Sequence, residues 1–244
     1  MVYGELGRFP IEIIIKLRMA TFWNNLLVNS NKISGILYKL VLKLHQGNPT
    51  HFKWIAYVKS IFDECGLSFV WNDQIPMDKK ILKILLKQNL VDQFIQHWFS
   101  QINNASRGQF YGMFKNEFKL EPYLLRLQQS DRIYLCKFRC SNVKLPIETG
   151  RWGNIPKENR ICHLCNVGIG DEYHYLFLCS HPYITDIRQN FIPQYYTRYP
   201  CMEKLKMLLS YCSTIIQTNL FLFKETCINF VVHLMYYCMS TYFL

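Results

Sequence analysis

The sequence predicts a mainly α chain, an irregular helical bundle with one small non-periodic loop set into it. Three observations carry this reading. Apolar residues recur at helical spacing along most of the 244 residues. Half of the sequence is hydrophobic and 16% is aromatic, enough to bury a core and too much for a disordered chain. Periodicity fails in one place, 141–159, where Pro146, Gly150, Gly153 and Pro156 cluster.

The elements follow in order. Pro10 suits a first helical turn, and 10–28 runs on as a mostly apolar helix. Asn29-Ser30-Asn31 breaks it and supplies a new N-cap. Ile33, Ile36, Leu37, Leu40, Val41 and Leu44 mark one face of the next helix, which Gly47 and Pro49 end. Thr50 caps a third, striped by Trp54, Ile55, Val58, Ile61, Phe62 and Cys65 and closed by Gly66. A long helix is expected at 77–102, then two around 110–118 and 122–140, divided near Ser130-Asp131. The segment 141–159 reads as loop with short extended pieces. Beyond it Pro182, Pro193 and Pro200 punctuate shorter helices, and 204–244 is helical again. Composition divides the chain into a helical region 1–140, a loop region 141–182 and a C-terminal helical region 183–244.

The formal charge is +11, unevenly spread. Residues 1–60 carry a net +6 and residues 122–160 a net +5. Such an excess points to a polyanionic partner, most simply nucleic acid; the plain alternative is a solvated basic surface. Ten cysteines without a secretory signal indicate a reducing, intracellular compartment, nuclear or cytoplasmic. Most, such as Cys65, Cys136, Cys212, Cys227 and Cys238, sit in apolar helical patterns and read as core. Residues 226–244 carry no charged side chain, yet Asn229, His233 and the tyrosines favour a packed helix over a membrane span.

One segment carries chemistry. Cys162-His-Leu-Cys165, eight residues, His174, four residues and Cys179 give two close pairs of soft ligands separated by a glycine-containing turn. Four N/S ligands in two pairs are what tetrahedral zinc takes, and a closed set of four leaves no open position for substrate, so the ion is structural. The expected ligands are Cys162, Cys165, His174 and Cys179, with Asp171 capping a short helix that carries His174. That helix has to end or loosen before Cys179, because positions five apart lie about 140° round an α-helix. His163 is expected to point outward, and His181 is the alternative ligand. The fold so predicted is an irregular helical bundle with an embedded small zinc-knuckle loop.

These residues resemble a known family. Leu135-Cys-Lys-Phe-Arg-Cys-Ser-Asn-Val-Lys-Leu-Pro-Ile-Glu-Thr-Gly-Arg151, then Arg160-Ile-Cys162-His-Leu-Cys165, then Asp171-Glu-Tyr-His174-Tyr-Leu-Phe-Leu-Cys179 is similar to the zinc-binding region downstream of the polymerase in reverse transcriptases of non-LTR (LINE-type, jockey-like) retrotransposons. Val2-Tyr-Gly-Glu-Leu-Gly-Arg-Phe-Pro10 looks like the stretch after the polymerase thumb in such elements. The resemblance implies zinc at the same four ligands, RNA or target DNA as partner, and the parent element's polymerase domain as a second partner. No Tyr/Phe-x-Asp-Asp occurs in the sequence, so the polymerase's catalytic residues carry over to nothing here, and the chain looks like a C-terminal fragment or remnant.

The expectation is a module without catalysis of its own. Arg132, Lys137, Arg139, Arg151, Lys157 and Arg160 are the candidate phosphate contacts, and Trp152 and Tyr173 the candidate stacking platforms. Glu117-Phe-Lys119 has the form of a nuclease Glu-x-Lys, but no Pro-Asp precedes it at a workable distance, and it reads as a solvated charged face. No phosphate-binding loop, dinucleotide turn or Ser/His/Asp ordering appears. The rival reading is a structural or protein-interaction zinc module without nucleic-acid binding.

Overall fold

The computed structural model describes residues 1–47, 52–214 and 230–234. It is mainly α. Among these residues no β-strand forms, and two isolated antiparallel bridges, Leu6 to Leu120 and Ile161 to Ile169, are the only extended pairings. The chain folds into two compact units, one of Phe9–Phe99 and one of Met1–Arg8 with the chain from Ser100 onward. The segment 141–182 thus lies inside the larger unit, and 1–140 is shared between both. The change of composition at 141 marks a change of local structure, while packing groups the chain differently.

The smaller unit holds α2 (Ile11–Val28), α3 (Ile33–Gly47), α4 (Lys53–Glu64), α5 (Ser68–Asp73) and the start of α6 (Lys79–Asn103), following a short α1 (Val2–Leu6) that belongs to the other unit. Its core is aromatic. Trp23 packs edge-on to Phe62 at 4.7 Å and stacks on Trp71 at 5.4 Å. Trp23 Nε1 donates to Tyr38 Oη at 2.8 Å, and that hydroxyl donates to Gln74 Oε1 at 2.7 Å. Removing the hydroxyl with Tyr38→Phe leaves both partners short of a hydrogen bond, a loss of about 1–3 kcal/mol readable in a urea unfolding curve. Buried Asn24 exchanges two hydrogen bonds with the backbone of Met77, and Asp78 Oδ1 caps α6 at Lys80 N and Ile81 N.

The α4 stripe is the one the sequence predicts: Ile55, Val58, Ile61, Phe62 and Cys65 are buried, and Gly66 turns out at φ 67°. On α3 the outcome differs. Ile33, Ile36, Leu37, Leu40 and Leu44 are exposed, and the helix packs through Gly35 and Tyr38, with Val41 and Leu42 against the core. The close seat of Gly35 on the Asn29 backbone, where a Cβ would come within 2.4 Å of its carbonyl oxygen, selects this face. Pro49 and Thr50, expected as stop and cap, lie outside the described residues.

The larger unit holds α7 (Tyr111–Phe114), α8 (Tyr123–Arg126), α9 (Gln129–Arg139), α10 (Pro146–Trp152), a 3-10 turn (Lys157–Asn159), a π-helical turn (His174–Leu178), α11 (Pro182–Phe191), α12 (Gln194–Thr197) and α13 (Met202–Thr214). The expected helix 122–140 divides at Leu127-Gln128, a little before Ser130-Asp131. The expected loop 141–159 is corrected in part: α10 occupies 146–152, with Pro146 in the first turn and Ile147 and Gly150 buried. Glycine content hid this helix, since Gly150 weakens helical propensity but lets the stem of Arg160 lie against it, 2.7 Å from where a Cβ would sit.

At the centre of this unit lies a buried charge cluster. Arg139 donates to Glu5 through Nε and an Nη at 3.2 Å, to Glu121 at 3.0 Å and to the carbonyl of Leu209 at 2.8 Å. The Phe114 ring lies 4.4 Å from its guanidinium carbon. Lys115 pairs with Glu121, and the Tyr123 hydroxyl donates to Glu5. Residues 230–234 are helical, with Phe230, Val231 and Leu234 buried. The rest of the uncharged 226–244 stretch lies outside the described residues, as do Cys227 and Cys238. Among the described residues no helix is long and apolar enough to cross a membrane.

Candidate metal centre

Cys162, Cys165, His174 and Cys179 converge, each offering one ligand atom, with all four atoms within 4.8 Å of one another. The C-x2-C turn is closed by Asn166 N donating to Cys162 O at 2.9 Å, with Asn166 in the left-handed region at φ 54°. Gly168 follows at φ 73°, with His174 Nδ1 3.5 Å from where its Cβ would be. The chain then doubles back: Cys162 N donates to Gly168 O at 3.0 Å, and Gly170 N to Arg160 O at 2.9 Å. Asp171 Oδ1 accepts from His174 N at 2.8 Å, the expected cap.

The geometric demand on the x4 gap is met by a π-helical turn. Cys179 N donates to His174 O at 2.7 Å, an i to i+5 closure that brings the fifth residue back over the first. Buried Arg188 supports it from α11, donating to Tyr175 O at 3.1 Å and Cys179 O at 2.8 Å. No local signal in the sequence marks Arg188 for this role; only packing of α11 on the turn brings it there.

The donor set fits a tetrahedral ion. Cys162 Sγ and Cys179 Sγ are 3.9 Å apart, close to the roughly 3.8 Å that two thiolates on one zinc require. Cys165 Sγ and His174 Nε2 are 3.2 Å apart, a few tenths of an ångström inside the corresponding span. The hydrogen-bond contact between the two sulfurs, in which either can donate, holds the Cys162 thiol below its ordinary range and pushes that of Cys179 up. Cys162 and Cys179 are buried, and Cys165 is half-buried. These four residues can hold a metal ion. His163 is exposed, as expected.

The expected nucleic-acid contacts fall into three groups. Trp152 is 69% exposed, and Lys137 and Lys157 are exposed. Arg132, Arg151 and Arg160 are half-buried: Arg132 donates to Leu124 O, Arg151 pairs with Glu148 at 2.8 Å, and Arg160 donates to Ile155 O and Ile147 O. Arg139 is a correction. It is 2% exposed and spends its donors on Glu5, Glu121 and Leu209 O, so no phosphate reaches it. Tyr173 is half-buried, its ring edge-on to Phe177 at 5.4 Å. Glu117 and Lys119 form an exposed pair, as the solvated-face reading expects. Arg151, Lys157 and Arg160 line one cavity together with Glu172, Ser141 and Gln109. The last three had no signal in sequence spacing. In comparisons with known proteins, no family model, no curated protein and no solved structure matches the chain.

Proposed function

We propose that the chain is a non-catalytic nucleic-acid-binding module in which structural Zn2+, held by Cys162, Cys165, His174 and Cys179, fixes the segment 141–180 and turns its basic edge toward phosphates. The observation that carries this reading is the tie between ligand tetrad and basic loop. Backbone bonds from Gly170 to Arg160 and from Cys162 to Gly168 couple the position of Arg160 to the ligands, and exposed Trp152 and Lys157 sit on the same loop. Ordering such a loop with a metal lowers the entropy lost when it meets an extended polyanion.

A second basic surface in the smaller unit supports the same partner. Arg18, Lys79, Lys83 and Lys87 line a groove, and none of the four forms an ion pair among the described residues. The three lysines repeat every four residues along α6, about 6 Å apart, a fitting stride for a phosphate backbone. The resemblance to retrotransposon reverse transcriptases, which rests on the quoted motifs alone, makes RNA or a DNA target the natural ligand and a polymerase domain the natural neighbour.

The test is a fluorescence-anisotropy titration of the zinc-loaded chain with single-stranded RNA and with nicked duplex DNA at several salt concentrations. The affinity is expected to fall with a log–log slope of about −0.7 per phosphate engaged on a single strand. Lys157→Ala should reduce that slope by about one contact. No salt-dependent binding tighter than micromolar overturns the proposal. It would favour the second reading, a structural or protein-interaction module, to which the exposed apolar row Ile33, Ile36, Leu37, Leu40 and Leu44 on α3 lends support.

A further inference from the structure

Beside the metal centre a cavity of about 360 Å³ opens within the larger unit, a size suited to a small ligand. Its lining carries both signs of charge. Glu172, 3% exposed, is among the residues that line it. One carboxylate oxygen accepts from the Ser141 hydroxyl, and the other, Oε2, is buried with no hydrogen-bond partner. Arg151, Lys157 and Arg160 line it too, together with Glu148. Glu148 engages Arg151. Arg160 commits Nε and one Nη to backbone carbonyls, and Lys157 makes no ion pair among the described residues.

A ligand for this cavity has to bring a donor to Glu172 and negative charge to Lys157 and Arg160. A simple amine meets the three cations, and inorganic phosphate meets the buried carboxyl. A nucleotide satisfies both requirements. The amino group on the edge of a base is a donor that Glu accepts in base recognition, and the attached phosphate is the anion that Lys and Arg bind. We propose that this cavity takes one unstacked nucleotide, base inward with its exocyclic amino group donating to Glu172 Oε2 and its phosphate against Lys157 and Arg160. The inference rests on the nucleic-acid reading and adds base discrimination to it. The zinc knuckle shapes the site, since Glu172 stands two residues before His174 and Arg160 two before Cys162.

The experiment titrates the zinc-loaded full chain with two matched pairs, CMP against UMP and AMP against IMP, by calorimetry. Within each pair an amino group is replaced by a carbonyl. In at least one pair the amino member is expected to bind about tenfold more tightly. Glu172→Gln, checked for unchanged zinc content, should abolish that preference. Lys157→Ala, at an exposed position that does not endanger folding, should weaken both members of the pair several-fold and leave their ratio alone. Equal affinities within both pairs overturn the inference, as does a preference that survives Glu172→Gln. RNA binding without any mononucleotide binding also overturns it while leaving the module's proposed function standing. Selective mononucleotide binding without RNA binding supports the cavity and removes the broader proposal.

Discussion

Cys162→Ser is expected to abolish stoichiometric metal binding and to lower the melting temperature of the larger unit. With free zinc a thousandfold above the dissociation constant, linkage contributes about 4 kcal/mol, or roughly 8–16 °C for a chain of this size. Elemental analysis and melting curves with and without chelator read both effects. A wild-type protein free of zinc, or one whose melting ignores chelation, removes the foundation of the proposed function. The pH dependence follows from the thiols. Its contact with Cys162 and burial push the Cys179 thiol up, toward the protonated form that does not bind metal. The metal must displace that proton, so the bound state holds fewer protons than the free state. Metal affinity therefore rises with pH and falls on acidification. Zinc titrations at pH 6 and pH 8 should show the weaker binding at pH 6.

Arg139→Ala is expected to destabilise the larger unit by about 3–5 kcal/mol, because it leaves the buried Glu5 carboxylate without its counter-charge and Glu121 with Lys115 alone. The side chain of Arg139 is fully shielded, and both Glu5 and Glu121 are buried. Arg139→Lys should recover only part of this, since an ammonium cannot reach two carboxylates and the Leu209 carbonyl in one planar fork. Combining Arg139→Met with Glu5→Gln, and keeping Glu121 paired with Lys115, removes the uncompensated charge and should be milder than Arg139→Ala alone. Urea unfolding measures the series. A loss below about 1 kcal/mol for Arg139→Ala would show that the cluster is not formed.

Arg139 also marks where sequence reasoning reaches its limit. Beside Lys137 in a basic segment it looks like a surface charge, and only contacts with residues 134 and 70 positions away reveal otherwise. The cavity is the same kind of case: Gln109 and Ser141 stand 63 and 31 residues before Glu172, and no periodicity connects them. What was legible was local. The α4 stripe reads directly because its helix buries one continuous face. The Cys/His cluster reads directly because side chains able to share one metal ion have to fall at close spacing within a short stretch. The α3 stripe failed as a guide since apolar periodicity tells that a helix has an apolar side, while the glycine at 35 decides which side can come close. The helix over 146–152 was hidden by glycine and proline, although Pro146 at its start was itself a start signal.

The π-helical turn sets different tolerances on the two sides of His174. Between Cys165 and His174 the backbone pairing back to Cys162 and Arg160 begins only at Gly168, so a residue gained at the exposed tip of Asn166 and Val167 can bulge outward. Between His174 and Cys179 the spacing is locked by one backbone ring, from the Cys179 amide to the His174 carbonyl, with Arg188 seated on its carbonyls. A single-residue deletion there would tighten the ring to an ordinary α-turn and swing the last sulfur away from the other three donors. An insertion should therefore be survivable ahead of the histidine, and a deletion ruinous behind it.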